Sequence, residues 1–487
     1  MQHTFRRGSV FTSSCVGAQP ALCHNRRVST LPLSHLATAV LCVVVLGDFL
    51  GGVRASGGMR HSASQGSKET VSSIVPSSTP TYYRDVLPIL QQHCVACHRA
   101  GGLAPMSFES YEAARRYAYL IRNVTQDKGM PPPFSVPLVG RVTNDPSLTG
   151  AQISTLAAWA NLNAPAGDSR DASEVPRESA SWSIPKPDLI VKMPQPVSIP
   201  ATGNLDYVYQ IVPTRFTEGR WIQMAEVLPS LRANLLQMMV VIRRPGSRWL
   251  RHARAETSFT SAALTGSEDR RWADDDILVV YAPGSSKQEF PSTMGKFIPA
   301  GSDLVFRAQY TTNGLASSDQ SSVGLVFSKQ KPSQRVITLA LEDDRFTIPP
   351  NASDYRVEAR GILRRDVLLL SFSPLLHLRG KCFEYDVIHT SSGARHNLNP
   401  EVETLLRVNY DLRWQTSYHL SEPRFLKTET ELRAVAWYDN SPKNPNNPNP
   451  DAFVRWGDQP GDEVLGGFFD VAVPATIGGR KILARHH

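Results

Sequence analysis

A short stretch of the chain carries two thiols and an imidazole in close succession: Cys94, Cys97 and His98. The C-x-x-C-H spacing is the attachment sequence of a c-type haem. Two thiols on one helical turn can bond to the two vinyl groups of a porphyrin, and the histidine after them can ligate the iron. A zinc site needs two more ligands, and the sequence has no second C-x-x-C. The motif therefore predicts covalent haem c; the alternatives are half of a zinc site or a buried cysteine pair beside a surface histidine.

Three helices are expected to position this motif within residues 81–167. Apolar spacing predicts a helix over Arg84–Cys94 that carries the motif at its end. Ser107 is expected to cap a second helix that runs to about Asp127, and Thr149 is expected to cap a third. Three helices around one porphyrin are typical of a small cytochrome c.

A methionine with three prolines after it follows the second expected helix. The prolines end the helix and hold Met130 in an extended loop. A thioether presented in this way is a natural sixth ligand to haem iron. Met106 is the competing candidate, and the alternative for Met130 is a core methionine. The sequence therefore predicts His98 as the proximal ligand and Met130 as the distal ligand.

The N-terminus has the pattern of an export signal. Two arginines precede an apolar run at residues 36–46, and small residues precede a break after Ala55. We therefore expect residues 1–55 to be a signal peptide and 56–80 to be a flexible linker. The mature protein is then periplasmic or secreted. The alternative is an uncleaved segment, which would be the protein's only membrane contact.

Composition excludes several classes of function. The net charge is +8, but five arginines and one aspartate give residues 1–55 a charge of +4, which leaves +4 on the rest. This weak balance gives no support for nucleic-acid binding. No G-x-S-x-G, P-loop or H-E-x-x-H sequence occurs. Of six cysteines, three lie in the expected signal peptide and two in the haem motif, which leaves Cys382 without an obvious partner.

The hydrophobic period changes to two after a polar linker at residues 168–186. Many short strands with turn residues between them predict β-sandwiches. The domains are therefore expected at 187–345 and 346–475, followed by a tail at 476–487. The expected strands include Ile190–Met193, Tyr207–Val212, Met239–Ile242, Ile277–Tyr281, Leu304–Tyr310, Val323–Phe327, Val367–Phe372, Cys382–Ile388, Leu405–Tyr410, Leu432–Tyr438 and Gly467–Val473.

Four segments of the β region carry a family resemblance: 301–314 (GSDLVFRAQYTTNG), 374–381 (PLLHLRGK), 439–450 (DNSPKNPNNPNP) and 454–459 (VRWGDQ). The chain resembles the bacterial relatives of peptidylglycine α-hydroxylating monooxygenase, which are copper type II, ascorbate-dependent monooxygenases. Many of these carry an N-terminal cytochrome c-like segment. The resemblance implies two tandem jelly-roll-like sandwiches, each with one copper facing a solvent cleft. One copper passes electrons and the other binds oxygen.

The resemblance also implies six copper ligands, five histidines and one methionine. The matching positions hold Leu236, Gln237, Gln309, Leu375, His377, and Val464 or Leu465. Leucine has no lone pair to donate and a glutamine amide is a weak ligand for copper, so only His377 survives as a strong donor. His377 is then expected to be a hydrogen-bonded remnant. The alternative is a rebuilt copper(I) site with Met224, Met238 or Met239, although methionines in an apolar strand are more often core residues.

These observations predict a multidomain protein with a small all-α cytochrome c-like domain and two all-β sandwiches. Its function is expected to be one-electron transfer by haem c in an exported protein whose β domains have lost copper catalysis. The expected partner is a redox protein or a small electron donor. One alternative is an active copper- and ascorbate-dependent monooxygenase fed by its haem. The other is a non-catalytic binding or scaffold protein with a vestigial haem motif.

Overall fold

The computed structural model describes a helical segment and a large β region. The expected signal peptide and nearly all of the linker after it lie outside the described residues. Among the residues that it does describe, no helix is long and apolar enough to cross a membrane. The described residues are 79–132, 142–172, 182–264, 276–285, 287–389, 401–457, 459, 461–477 and 482–486.

The helical segment, residues 79–132 and 142–172, is called the α module below. It begins with a π-helical turn, Tyr82–Val86. Four α-helices follow: α1 Leu87–His93, α2 Tyr111–Arg116, α3 Ala118–Gln126 and α4 Gly150–Asn161. A single 3₁₀ turn, Ser169–Asp171, ends the segment.

Side-chain caps explain where two of these helices begin. The Thr149 hydroxyl accepts the Gln152 amide, and the Gln152 side chain accepts the Thr149 amide, so α4 begins with a capping box as expected. The second helix begins later than expected, because Ser110 caps α2 through the Ala113 amide. Ser107 instead donates to Glu109. The helices bury one apolar cluster, which includes Tyr82, Val86, Leu90, Phe108, Ile121, Leu156 and Trp159.

The β region, residues 182–486 where described, is called the β module. Its first half contains β1 Leu189–Lys192, β2 Val197–Ile199, β3 Val208–Pro213, β4 Arg220–Leu228, β5 Leu235–Arg243, β6 Ser258–Thr260, β7 Asp276–Tyr281, β8 Lys287–Glu289, β9 Met294–Ile298, β10 Asp303–Tyr310, β11 Ser317–Asp319 and β12 Ser322–Phe327. Its second half contains β13 Gln334–Asp343, β14 Thr347–Ile348, β15 Tyr355–Leu363, β16 Val367–Leu375, β17 Gly380–His389, β18 Glu401–Asn409, β19 Tyr418–Leu426, β20 Glu431–Tyr438, β21 Val454–Arg455, β22 Leu465–Pro474 and β23 Leu483–His486.

The two sandwiches share one sheet. A nine-stranded sheet runs in the order β1-β12-β4-β9-β13-β22-β16-β19, with β8 also on β4. Each half of it is matched by a five-stranded sheet, β6-β3-β10-β5-β7 in the first sandwich and β18-β17-β20-β15-β23 in the second. The halves meet where β9 and β13 pair in parallel. Lys296 of β9 is buried at this joint, and its ammonium donates to Thr338 and Asp470 at 2.8 and 2.9 Å.

Apolar burial is divided among the sandwiches and the space between them. One cluster fills the first sandwich and another fills the second. A third cluster joins residues of both, and its members include Tyr207, Met239, Val305, Leu375, Val464 and Phe468. A cleft between the sandwiches is therefore closed by packing at this place.

The expected β-sandwiches are confirmed, and every expected strand segment overlaps an observed strand. Leu483–His486 falls within the expected tail, yet it forms β23 and pairs with β15. Cys382 is buried in β17 and is disulfide-bonded, which corrects the expectation that it has no partner. The helices of the α module are present, and its assignment as a cytochrome c remains a prediction.

Candidate haem site and copper-equivalent positions

One turn of backbone after α1 brings the two thiols and the imidazole together. The amides of Cys97 and His98 both donate to the carbonyl oxygen of Cys94, at 3.1 and 2.9 Å. Cys94 and Cys97 are both in the thiol form. Burial, with a smaller contribution from Cys97, raises the pKa of the Cys94 thiol to about 12. The Cys94 thiol is therefore protonated at neutral pH, and both cysteines lie on a single turn of backbone.

The His98 ring is held in place by two contacts. Its Nδ1 lies 3.2 Å from the carbonyl oxygen of Met106, and the Phe108 ring stacks on it with a centroid distance of 4.5 Å. Burial lowers the pKa of His98, against an opposing contribution from the bond to Met106. A neutral imidazole whose Nδ1–H is bound to a carbonyl presents Nε2 as its lone-pair nitrogen. This is the form in which histidine ligates a metal.

A second histidine in the same segment is committed elsewhere. His93 ends α1, and its Nδ1 lies 2.9 Å from the carbonyl oxygen of Pro146. Its Nε2 lies 3.0 Å from the amide nitrogen of the Gln152 side chain. Both ring nitrogens of His93 are therefore used in hydrogen bonds, which distinguishes it from His98.

The two candidate methionines have different surroundings. Met106 packs its side chain against the α-module core, and its carbonyl binds His98. Met130 follows α3, its amide donates to the Val124 carbonyl at 3.1 Å, and its side chain is 44% exposed. An exposed thioether on a loop can reach a ligand without disturbing a core. The donor set of the α module, two thiols, one oriented imidazole and a thioether, therefore fits haem c.

The copper-equivalent positions of the first sandwich form an amide cluster. Gln237 of β5 and Gln309 of β10 are paired across adjacent strands. Gln415, from the second sandwich, donates from Nε2 to the Gln309 side-chain oxygen and to the Leu412 carbonyl, both at 2.8 Å. The Gln237 side chain donates to the Gln415 carbonyl at 3.4 Å. Leu236 beside them is buried. The amides bond to one another across the two sandwiches.

The copper-equivalent positions of the second sandwich are mostly apolar. Leu375 and Val464 belong to the cluster between the sandwiches, and Leu465 belongs to the core of the second sandwich. His377 is 2% exposed, and its Nδ1 lies 3.1 Å from the carbonyl oxygen of Asp462. Its ring centroid is 5.3 Å from that of Tyr207 in the first sandwich. His377 therefore has a backbone partner and an aromatic neighbour.

The methionines named as possible replacement ligands have packing partners. Met238 is buried in the first sandwich, and Met224 of β4 is partly buried. Met239 lies in the cluster between the sandwiches, where its sulfur is 3.8 Å from a guanidinium nitrogen of Arg307. Arg307 is itself buried, with its guanidinium carbon 3.6 Å from the ring centroid of Tyr207. A cation therefore occupies the surroundings of Met239.

Sequence reasoning missed a buried charged network beside His377. Glu463 accepts the His377 and Arg379 amides at 2.9 and 2.6 Å. Arg379 is also buried, and its Nε donates to the Asn440 side chain at 2.8 Å. Burial raises the pKa of Glu463 to about 7, although these amides and Arg379 lower it. The only signal in the sequence was a charged residue on each side of apolar segments, which is common at strand ends.

The described parts of the chain also bear on metal binding through their clusters of ionisable side chains. Within those ranges, no group of three or more His, Cys, Asp or Glu side chains converges in a way that could hold a metal ion.

No protein-family model matches the chain, and no curated protein matches it. Among solved structures, the chain is similar to the infectious bursal disease virus Gx strain at 9% identity and a TM-score of 0.17, over 64% of this chain and 78% of the other. It is similar to PNGF-II at 9% identity and a TM-score of 0.18, over 58% and 60% of the two chains. Likeness at these TM-scores carries no argument about fold or function.

Proposed function

We propose that the chain is an exported, c-type haem electron-transfer protein whose β module has lost copper catalysis and serves as a binding or scaffold unit. The observation that carries the proposal is the state of His98. Its Nδ1 is bound to the Met106 carbonyl and its ring is stacked on Phe108. Two thiols precede it on the same turn. This arrangement favours an iron ligand over a surface histidine.

The residues of the α module divide the task of holding the group. Cys94 and Cys97 would bond covalently to the porphyrin, His98 would be the proximal ligand and Met130 the distal ligand. When bound, haem c supplies a one-electron iron couple. With His98 and Met130 both bound, the iron would keep no open position for oxygen or substrate. Outer-sphere electron exchange with a redox protein or a small donor is therefore the proposed activity.

The loss of copper is proposed from what stands at the ligand positions. Amides at Gln237 and Gln309 bond to Gln415, and Leu375 and Val464 pack in an apolar cluster. Restoring copper would require removing these contacts as well as adding donors. The proposed β module is therefore related to copper monooxygenases in resemblance and not in chemistry.

The test is expression of the full chain in a host competent in cytochrome c maturation. The denatured band should keep peroxidase-active haem on a gel. Cys97→Ala should weaken or remove that signal, whereas Val95→Ala, at a spacer position of the motif, should keep it. A colourless wild-type chain would overturn the proposal. Export is tested on the same sample, because the mature chain should begin at Ser56.

A further inference from the structure

The α module is docked on the β module through the residues that precede α4. Val142 forms an antiparallel bridge with Leu420 of the edge strand β19. The Thr143 amide donates to the His419 carbonyl at 2.9 Å. These backbone contacts fix which side of the α module faces the β module.

The haem motif is approached by the β module in this docked arrangement. A Cβ placed on Gly284 of the first sandwich would be 3.8 Å from the Cβ of Ala96, a spacer residue of the motif. The same Cβ would be 3.1 Å from a ring carbon of Trp414, which packs against the core of the second sandwich. The β module therefore occupies the approach to the spacer of the motif, and a partner protein must reach the haem from another side.

The α module exposes a concentration of apolar side chains elsewhere. Among the residues that the structure describes, nine large apolar side chains are exposed, and four of them belong to the α module. The α module makes up less than a quarter of those residues. The four, each between 44% and 53% exposed, are called the exposed patch below: Tyr119, Leu120, Met130 and Leu162. Grouped apolar side chains at the surface of a soluble protein mark interaction sites.

Contacts between α3 and the end of α4 connect one part of the exposed patch. The guanidinium carbon of Arg122 lies 5.1 Å from the ring centroid of Tyr119. The same guanidinium donates from Nη1 to the Asn161 side-chain oxygen at 2.6 Å. Leu162 follows Asn161 directly. Tyr119 and Leu162 are therefore joined across the two helices through Arg122.

The backbone after α3 connects the other part of the exposed patch. Leu120 and Val124 lie one turn apart on α3, and the Val124 carbonyl accepts the Met130 amide at 3.1 Å. Met130 is the proposed distal ligand of the haem iron. The exposed patch therefore adjoins the loop that would hold the distal side of the haem.

Basic side chains border the exposed patch. Residues 111–130 carry two acidic side chains, Glu112 and Asp127, and four basic ones, so their net charge is +2. The four basic side chains are Arg115, Arg116, Arg122 and Lys128. All of these except Arg122 belong to exposed residues. A basic border favours a partner with an acidic surface, because complementary charge raises the rate of encounter.

We propose that the exposed patch is the docking surface for an acidic one-electron redox protein. This inference rests on the proposed haem function and names the class of its partner. Four half-exposed side chains fall far short of the roughly 20–30 residues on each side of a stable interface, and transient electron-transfer complexes have the smaller interfaces. One electron passes from the partner to ferric iron, which becomes ferrous, and no bond is made or broken at the iron.

The test uses the full-length, haem-loaded chain and flavodoxin as an acidic one-electron donor protein. Binding of oxidised flavodoxin, in which no electron moves, is measured by titration calorimetry at low ionic strength. Reduction of the ferric haem by fully reduced flavodoxin is followed by stopped-flow absorbance. Both the affinity and the second-order rate constant should fall as salt is raised. Arg116→Glu should lower the rate constant about tenfold at low salt.

Two control variants make the same changes outside the exposed patch. Lys331→Glu reverses one charge at an exposed residue between β12 and β13, and it should leave both measurements unchanged. Leu120→Ser should lower the affinity for flavodoxin about fivefold, whereas Leu315→Ser, at an exposed side chain of the first sandwich, should not. A neutral hydroquinone should reduce the haem of every variant at the wild-type rate, which shows that each haem site is intact.

Unchanged affinity and rate constant in both Arg116→Glu and Leu120→Ser overturn the docking surface. An equal decrease in Lys331→Glu also overturns it, because the charge of the whole protein would then be the cause. The chain could instead bind phosphatidylglycerol vesicles or a second copy of itself through Leu120 and not bind flavodoxin, which would assign the patch to a membrane or a dimer. A chain with no covalent haem overturns the proposed function, whereas a haem-bearing chain that fails the binding test overturns this inference alone.

Discussion

The α module was expected to hold haem iron and the cleft-facing part of the β module was expected to have lost its copper, and the two differ in what surrounds the donor positions. In the α module, His98 is oriented by the Met106 carbonyl and by Phe108. In the β module, the one surviving histidine is His377, which is bonded to the Asp462 carbonyl. Around it, Leu375 and other apolar side chains fill the space between the sandwiches.

The difference shows how a kept donor set can be distinguished from a lost one. A carbonyl partner at Nδ1 does not decide this, because His98 and His377 both have one. The neighbouring donors decide it, since two thiols precede His98 on its turn and apolar side chains stand near His377. At a copper site that has been lost, the side chains at the former ligand positions instead bond to or pack against one another. The bond between Gln415 and Gln309 joins the two sandwiches at such a position.

The largest expected effect is on the distal ligand. Met130→Ala should abolish the weak near-infrared sulfur-to-iron band of the oxidised protein and lower the midpoint potential, because a thioether stabilises the reduced iron. Met106→Ala is the matched control, since Met106 contributes its carbonyl to His98 and its side chain to the core. If the band survives Met130→Ala and disappears in Met106→Ala, the distal assignment is wrong.

The next effect concerns the packed copper position. Leu375→Ala should lower the free energy of unfolding by about 2–5 kcal/mol, because the side chain is 3% exposed and its loss leaves a cavity between the sandwiches. Leu315→Ala makes the same chemical change at a side chain that is 70% exposed and should cost less than about 0.5 kcal/mol. Urea unfolding followed by circular dichroism gives both values. Equal costs would mean that the position is not packed.

The sequence alone was sufficient to predict the strands whose apolar residues form an uninterrupted run. The β5, β10 and β17 segments are almost fully buried, and such runs predict buried strands. The sequence was not sufficient to predict strand β19, which contains Pro423 and several exposed residues. Proline is tolerated there because β19 is the edge of its sheet. Edge position is a property of the fold, and one sequence does not reveal it.

The same limit applies to the sites. The spacing of Cys94, Cys97 and His98 predicted their proximity, because all three lie on one turn of backbone. The amide bond between Gln415 and Gln309 joins residues far apart in the chain. It depends on how the two sandwiches meet, which is set by the parallel pairing of β9 with β13. Local spacing carries no information about that contact.

A pH effect is expected from the carboxylate beside His377. The folded-state pKa of Glu463 is about 7, above its ordinary value of 4.5, because burial disfavours the charged form. Between these values the folded state holds a proton that the unfolded state has lost. Stability contributed by this group is therefore complete below pH 4.5 and lost as the pH rises through 7, by on the order of 3 kcal/mol.

Urea unfolding at several pH values measures this slope. Glu463→Gln should flatten it, and the slope is the readout because the amide also changes the hydrogen bonds. Glu384→Gln is the comparison variant, since the pKa of Glu384 is also raised to about 7, by burial and by Asp386. Each variant should remove its own part of the slope. An unchanged slope in Glu463→Gln would show that Glu463 titrates normally in the folded protein.

The smallest expected effect on the haem is that of His377, whose substitution tests the β-module side of the contrast directly. His377→Ala removes the bond to the Asp462 carbonyl and the contact with the Tyr207 ring. Loss of that hydrogen bond alone should cost about 0.5–1.5 kcal/mol, and the cavity left by the buried ring should add to this. His377→Gln keeps a side-chain donor and should recover part of that stability. Neither variant should change haem content or the midpoint potential, because His377 packs within the β module and is bonded to its backbone.

Copper is measured on the same three proteins. Each full-length chain is equilibrated with copper, passed through a desalting column and assayed for bound copper and for oxygen uptake with ascorbate. Neither retention nor uptake is expected, because one imidazole cannot hold copper through a redox cycle against exchange. Copper retained in the wild type and lost in His377→Ala would show a half-site that binds the metal. Copper retained at both positions, with oxygen uptake, would reverse the contrast and make the protein an active monooxygenase.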